Sequence, residues 1–337
     1  MDKALTLADI KATLTPDGLP AQIIDTMATS GSLTEDGLWK PTNAFGRNVT
    51  ARTLSVPDGE FRRANKGITP GKGSIGQIED YVGYIEAMSF VDDKVIRSVK
   101  KGNKAQARAT YDKLFSSGLA SQGRQFTIYG SREADPEAFN GMAAKRNKID
   151  NIYTIDCTPS TGFTVDGKRT SIFLVAWDGD RGCHYLYPEE TAAGITTEDF
   201  GKQIIPDPNN DPAGPQRYLP AWITWFYYDL GFTVKDDRAL IRLCNIDLEN
   251  KSSDYMKEVL AKLNQAARTL SFDPGSGKVK AYCNMDMEVF LDNMVLNLAN
   301  FEMTQMTIEG KTFTSSIVRI PLRRCDEISS AEVAVTA

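Results

Sequence analysis

Apolar and polar residues along this chain follow two periods, and some long stretches follow neither. The first forty residues are only sparsely apolar. Thr6 is placed to cap a turn through Leu7, Ile10 and Lys11, before Pro16, Gly18 and Pro20 break it. Residues 22–29 predict another short helix ahead of Ser30 and Gly31. Too few apolar side chains are present for a core, so this segment must lie on something else. The run RNVTARTLSV has the β-branched enrichment of a strand, Pro57-Asp58-Gly59 reads as a turn, and EFRRAN as the returning strand. Gly67, Pro70, Gly71, Gly73 and Gly76 then make a flexible exit.

A 3.6-residue period follows. Ile78, Val82, Ile85 and Met88, continued by Val91, Val95 and Val99, predict helix, so residues 75–120 read as mainly helical. Asn103 is a candidate cap for the next helix, with Ala107, Tyr111, Leu114 and Phe115 as its apolar stripe and Gly118 as its stop. Lys104, Arg108 and Asp112 make a charged row on that helix, open to phosphate, to an acidic neighbour or simply to solvent. Over 121–180 short strands take over: RQFTIYG, IDNIYTIDCT and the buried-looking RTSIFLVAWDGDRG. The polar stretch beyond HYLYPEETAAGI, with Pro206, Pro208, Pro212 and Pro215, reads as loop. YLPAWITWFYYDLGFTVKDDRALIRLCNI reads as adjacent core strands. Met256, Val259, Leu260, Leu263, Ala267 and Leu270 mark one face of an amphipathic helix, and residues 286–297 a second helix. A hairpin around Glu309-Gly310 and a strand over 317–322 close an α+β pattern.

Composition narrows the chemistry. Of 337 residues 41% are hydrophobic and 25% charged, ordinary globular values. No apolar run approaches the length of a membrane span, and the polar N-terminus lacks the apolar stretch of a signal peptide. The net charge of −5 argues against a dedicated DNA-binding protein. Five scattered cysteines without CxxC spacing point to reduced thiols in a cytosol-like compartment. A single histidine, His184, removes every two-histidine metal site and makes His184 the only imidazole for a Ser–His or Cys–His mechanism. Its neighbour Cys183 would point to the opposite face of a strand.

The remaining motifs are incomplete. GITPGK is one residue short of a phosphate loop, and GSGK at 275–278 is followed by Val279, not Ser or Thr. DPNND begins like a calcium loop but has Pro212 where glycine belongs and Tyr218 where Glu belongs. Asp178/Asp180 and Asp236/Asp237 sit in turn contexts. Trp222, Trp225, Phe226, Tyr227 and Tyr228 are candidates for a ligand pocket or, more simply, for a buried sheet. No catalytic, cofactor or metal site emerges. What stands out is the cationic, core-poor hairpin, with Arg47, Arg52, Arg62, Arg63, Lys66 and Lys72 against only Asp58 and Glu60. An isolated hairpin is marginal in water, so this one is expected to dock on another surface.

The order of these parts, with TLSVPDGEFRRANKGITPGKGSIGQIEDYVGYIEAMSFVDDKV, FTIYGSREADPEAFNGMAAKRN and the terminal IPLRRCDEI, resembles the major capsid proteins of tailed bacteriophages. The second stretch is similar to a "YG…DP..F.GL..R" pattern of the epsilon-fifteen-type podovirus capsid proteins, with Met142 where Leu is usual, a tolerated exchange. The resemblance implies the Hong Kong 97-like fold. It divides the chain into an N-terminal arm (1–43), an E-loop hairpin (44–74) and a P domain (75–149) with a spine helix over 103–121. An A domain (150–300) and terminal strands returning to the P domain (301–337) follow.

It further implies a non-enzymatic protein, without cofactor, whose copies form pentamers and hexamers of an icosahedral shell around double-stranded DNA. The implied partners are a separate scaffolding protein, a portal, possibly a decoration protein, and DNA held non-specifically at the inner surface. The protein would reside in the virion after assembly in the bacterial cytoplasm. There is no room before the arm for a cleaved scaffold extension, and no Lys–Asn crosslink is expected from Lys66 or Lys72. Arg47, Arg52, Arg62, Arg63 and Lys66 are the expected inter-subunit contacts. The competing reading is a cytosolic α+β enzyme or small-ligand-binding protein with an aromatic pocket at Trp222 to Tyr228.

Overall fold

The computed structural model describes residues 32–98, 104–160, 162–163, 168–207, 215–273, 276–297, 306–308, 311–313, 316–317 and 320–336. A short helix α1 (Ser32–Asp36) leads to β1 (Trp39–Pro41), β2 (Arg47–Ser55) and the 19-residue β3 (Ser74–Asp92). Next come α2 (Asp93–Ser98), the 26-residue α3 (Lys104–Tyr129) and a single turn α4 (Met142–Lys145). Then follow β4 (Thr154–Asp156), β5 (Arg169–Ala176), β6 (Cys183–Tyr187), β7 (Ile195–Pro206) and β8 (Tyr218–Val234). A 3-10 turn at Asp237–Ala239 precedes β9 (Leu240–Asp247), α5 (Ser253–Thr269), β10 (Val279–Cys283) and α6 (Met285–Asn297). The chain closes with β11 (Met306–Ile308), β12 (Lys311–Phe313), β13 (Ser316–Ile317) and β14 (Ile320–Arg324).

Two sheets result. In the first, β8 pairs antiparallel with β3 along one edge, from Val82↔Gly231 to Asp92↔Ala221. Along its other edge β8 pairs with β7 and then with β6, which carries β1. The outer half of β3 pairs only with β2, from Arg47↔Tyr81 to Ser55↔Ser74. The second sheet runs β13-β14-β10-β5-β9-β4. Its middle strands are buried along almost their whole length, which is why they read as continuous apolar runs. Ser252 caps α5 through the Tyr255 N–H at 3.4 Å, and the helix buries Met256, Val259, Leu263, Ala266 and Ala267. Trp177, the residue after β5, lies 5.2 Å from Tyr185 and 6.1 Å from Phe232 of the first sheet, and its indole N–H donates to Tyr282 of the second at 2.8 Å. These rings join the two sheets in one hydrophobic core.

Several expected elements take another form. Residues 74–92 are strand, not helix: from Tyr84 to Val91 burial alternates, with Tyr84, Glu86 and Met88 exposed and Ile85 and Ala87 packed inward. The helical spacing of Ile78, Val82, Ile85 and Met88 was a coincidence that pairing with β8 overrides. Residues 60–65 are not the returning strand. They lie in an irregular tip, and β2 is answered by the start of β3. Gly118 does not stop α3, which runs through RQFTIY to Tyr129. Thr127 Oγ donates to the Gly123 carbonyl at 2.9 Å, one helical turn back, and Ile128 is buried beneath. Residues 196–206, expected as loop, belong to β7 because β8 supplies a hydrogen-bonding partner along the stretch. The strands β8 and β9 are adjacent in sequence but belong to different sheets.

At the C-terminal end β11 and β12 do pair antiparallel, while Glu309 and Gly310 lie outside the described residues. So do Asn103, Thr6, Leu7, Ile10, the 22–29 helix and the 208–214 proline loop. Among the described residues no helix is long and apolar enough to cross a membrane. The strands β6, β7 and β8 join β2 and β3, whereas β4, β5, β9 and β10 join β14, so residues 150–300 serve both sheets.

Candidate assembly interface

The β2–β3 hairpin is built as a cantilever. The inner half of β3 is fixed between β8 and the overlying α3, while the outer half, about 25 Å at ~3.3 Å per residue, has β2 as its only strand neighbour among the described residues. Every residue from 53 to 75 is exposed. Phe61 is 107% exposed, Val56 75%, Leu54 70% and Ile68 59%, at the end of β2 and in the loop beyond it. Burial of such side chains is worth roughly 1.5–3 kcal/mol each, and the isolated chain realises none of it here.

The predicted contact residues separate into two groups. Arg47 and Arg52 are engaged by the chain itself. Arg47 pairs across the strands with Glu79 at 3.2 Å. Arg52 reaches the body, with Nη1 at 2.8 Å from Asp237 Oδ2 and Nη2 donating to the Val234 carbonyl. Asp237 also receives Arg146, so the hairpin is pinned at the corner between β8 and β9. A second pin lies at its base, where buried Asp80 accepts from Lys145 Nζ and Thr233 Oγ. Asn43 clamps the start of β2 by accepting from the Val49 N–H and donating to its carbonyl, both at 2.8 Å. Arg62, Arg63 and Lys66 form the free group. They crown the tip, where Arg62 Nε donates to the Lys66 carbonyl at 3.0 Å and Asn65 adopts φ 64°. Among the described residues no carboxylate pairs with any of the three.

The helix α3 lies across β3 and β8, and Arg108 and Asp112 of its charged row are engaged by the chain itself. Arg108 Nη2 bonds Asp199 at 2.6 Å and Thr224 at 2.8 Å, with the guanidinium 5.2 Å from the Trp222 ring. Asp112 accepts from Thr224 at 3.1 Å. Phe115 stacks on Phe226 at 5.7 Å. The loop after α3 explains its sequence pattern. The Gly141 N–H donates to the Gly130 carbonyl at 2.8 Å, and a Cβ on Gly141 would stand 2.5 Å from the Phe126 carbonyl oxygen. A Cβ on Gly130 would stand 2.7 Å from the Phe139 oxygen. Only two glycines allow backbones to approach so closely. Asp135 caps the Glu137 N–H at 3.1 Å, and Phe139 and Met142 are buried between the loop and the body.

Groups capable of chemistry are buried or occupied. His184 is 1% exposed, and burial together with Lys235 and Lys40 pushes its imidazole down to about 4. It is a buried imidazole on β6, where its backbone registers with Thr233 of β8. All five cysteines are buried and unpaired, and burial pushes the Cys183, Cys244 and Cys283 thiols up to about 12, far from nucleophilic. Lys278 of GSGK bonds Asp178 at 2.7 Å and holds that carboxyl down at about 2. Asp178 also caps the turn at Asp180 and Arg181, as Asp236 does at Arg238. Phe226 and Tyr228 are buried under α3, while the Trp222 and Trp225 indoles donate to Asp93 and Glu86. Among the described residues no group of three or more His, Cys, Asp or Glu side chains is placed to hold a metal ion.

A body with one continuous core that extends a coreless, exposed hairpin has the form of a subunit completed by its neighbours. Comparison with known proteins agrees. A family model described as "Major capsid protein GP7" matches residues 15–336, and the chain belongs to that family. The fold is similar to that in the structure of bacteriophage epsilon15, with 22% identity and a TM-score of 0.73 over 100% of this chain and 98% of that chain. That likeness makes the fold Hong Kong 97-like. Fainter similarity extends to the bacteriophage JBD30 capsid, with 10% identity and a TM-score of 0.45 over 96% of this chain and 99% of that one. The SrpI encapsulin complex of Synechococcus elongatus gives 12% identity and a TM-score of 0.44 over 73% and 97%. No curated protein sequence matches the chain. The protein is a structural, shell-forming capsid subunit and is located in the virion shell.

Proposed function

We propose that copies of this chain form pentamers and hexamers that close an icosahedral shell around double-stranded DNA, and that the protein performs no catalysis. The observation that carries this reading is the run of exposed residues 53–75, whose apolar side chains have no core in the single chain. The proposed division is an arm (1–43), an E-loop hairpin (44–74), a peripheral domain (75–149) with α3 as its spine, an axial domain (150–300) and terminal strands (301–337). A net charge of −5 suits a container that must release a phosphate polymer, with DNA touched only non-specifically at the inner surface. Assembly in the bacterial cytoplasm with a separate scaffolding protein, a portal and a decoration protein completes the proposal.

Light scattering and negative-stain electron microscopy of the expressed chain test it. Closed particles of uniform size are expected, alone or with a scaffolding protein. A discrete dimer under all conditions would instead support the enzyme or ligand-binding reading centred on Trp222 to Tyr228.

A further inference from the structure

The hairpin leaves the body at a definite place. Arg52 and its register partner Gly76 are its outermost partly covered positions, and every residue between them, from 53 to 75, is exposed. The Arg52 side chain is 18% exposed, with Nη1 at 2.8 Å from Asp237 Oδ2 and Nη2 donating to the Val234 carbonyl. Four residues inward from Gly76 on β3, about 13 Å at ~3.3 Å per residue, buried Asp80 accepts from Lys145 Nζ and Thr233 Oγ. A strand held at one point can swing about it, whereas two supports this far apart fix its direction.

Both supports hang on one turn. Lys145 ends α4 and Arg146 follows it. Lys145 holds Asp80, while Arg146 Nη2 donates to the Asp237 carbonyl at 2.6 Å and pairs with its Oδ1 at 3.3 Å. Arg146 Nε donates to the Leu240 carbonyl at 2.9 Å, and Arg242 Nη1 donates to the Arg146 carbonyl at 3.2 Å, so the turn is bonded to β9 of the second sheet. The Asp237 carboxylate thus takes one guanidinium from the body and one from the hairpin, each on a different oxygen. Loss of Arg52 leaves Arg146 in place on Asp237, so this support can be removed without opening the corner.

We propose that Asp80, Asp237 and the Lys145-Arg146 turn form a bracket that fixes the angle between the hairpin and the second sheet, and that Arg52 closes it. With Arg52 seated, hairpin and second sheet turn as one body; with Arg52 released, the hairpin pivots at Asp80. This rests on the shell-forming reading and deepens it by naming what keeps the geometry of each copy constant. Contacts between unlike patches close only when the rotation from copy to copy is constant. Arg62 stands ten residues beyond Arg52, so a small swing at the bracket becomes a larger displacement at the tip. Copies with a free pivot join at varied angles and build particles of mixed diameter. A guanidinium suits the task, since its planar fork holds a carboxylate and a carbonyl in one fixed geometry.

Electron microscopy of particles from four variants tests the bracket: Arg52→Gln, Asp237→Asn, the two together, and Arg238→Gln, which removes from the same turn a cation that pairs with Asp236. Arg52→Gln is expected to lower the share of particles at the parent diameter about tenfold, with circular dichroism unchanged. Asp237→Asn should do the same and the double variant no worse, because both act at one contact. Arg238→Gln should keep the parent diameter. Arg52→Gln particles as uniform as the parent's overturn the proposal. So does a double variant worse than either single one, or Arg238→Gln particles as mixed as those of Arg52→Gln. An Arg52→Gln chain that unfolds, or that folds and forms no particles, also overturns it, since a bracket that only sets an angle leaves core and contact surfaces intact. Where Asp237→Asn unfolds the chain, Arg52→Gln and Arg238→Gln decide. A parent chain that forms no particles overturns the shell-forming reading itself.

Discussion

Substitution of Glu332 by Ala is expected to loosen the C-terminal segment from the body at a cost of about 3 kcal/mol. The Glu332 carboxylate is 5% exposed and accepts from Arg242 Nη2 at 2.9 Å, from the Tyr129 hydroxyl at 2.6 Å and from Ser171 Oγ. It thereby ties the terminal segment to β9, to the end of α3 and to β5. The Arg242 guanidinium is 6% exposed. Removing one partner of a buried pair costs roughly 3–5 kcal/mol, because the other charge is left without compensation. The lower end applies, since Arg242 keeps the Ser171 hydroxyl at 3.0 Å and the Arg146 carbonyl at 3.2 Å. With an unfolding entropy of about 2 cal/mol/K per residue, a loss of that size lowers Tm by about 4 °C. Thermal unfolding followed by circular dichroism measures the shift, and limited proteolysis reports early cleavage after residue 325. Glu332→Gln, which keeps an acceptor oxygen, should fall between parent and Ala. An Ala variant that melts within 1 °C of the parent and keeps its terminus protected would refute the reasoning.

Three further outcomes follow from the geometry. Arg52→Ala removes the Asp237 ion pair and the bond to the Val234 carbonyl, a loss of about 1–2 kcal/mol that falls on the hairpin, so hydrogen exchange should rise in residues 47–55 and 74–81 while α5 stays protected. Unchanged exchange there would mean that Arg52 does not pin the hairpin. Gly141→Ala forces a methyl against the Phe126 and Thr127 carbonyls and should cost more than about 2 kcal/mol in chemical denaturation; a neutral result would show that the loop after α3 has room to move. His184 is neutral in the fold with a pKa of about 4, against about 6.5 when unfolded, so the unfolded chain takes up the proton first. Its stabilising effect is therefore present above pH 6.5 and lost as pH falls toward 4, by roughly 2–3 kcal/mol. His184→Phe should flatten the acid limb of Tm against pH, and parallel profiles for the two proteins would remove His184 from the account.

Two stretches of the chain take a secondary structure that their local pattern opposes, and for one cause. RQFTIY has strand composition, and the stretch from Ile78 to Met88 has helical spacing. Yet Thr127 bonds back to Gly123 within α3, and Ile85 and Ala87 face inward from β3. In both places the neighbour decided: α3 continues because it lies on β3 and β8, and β3 extends because β8 offers eleven consecutive register partners. The expected contact residues divided for a similar reason. Sequence shows that the hairpin is cationic, but not that Asp237, far along the chain, stands where Arg52 can reach it.

What the sequence by itself determined was composition-borne and local. A single histidine and scattered thiols narrowed the chemistry, α5 and the buried β5 were legible from their periods, and a cationic, core-poor hairpin set the expectation of an external surface to dock on. The glycines and turn residues after α3 carried the family likeness, because close backbone approach leaves a mark at fixed positions. Tertiary structure alone decided which arginines the chain itself engages and which sheet each strand joins. Those outcomes depend on pairs of residues brought together by folding, such as Arg52 with Asp237 and Glu86 with Trp225, and no local pattern encodes the distance between them.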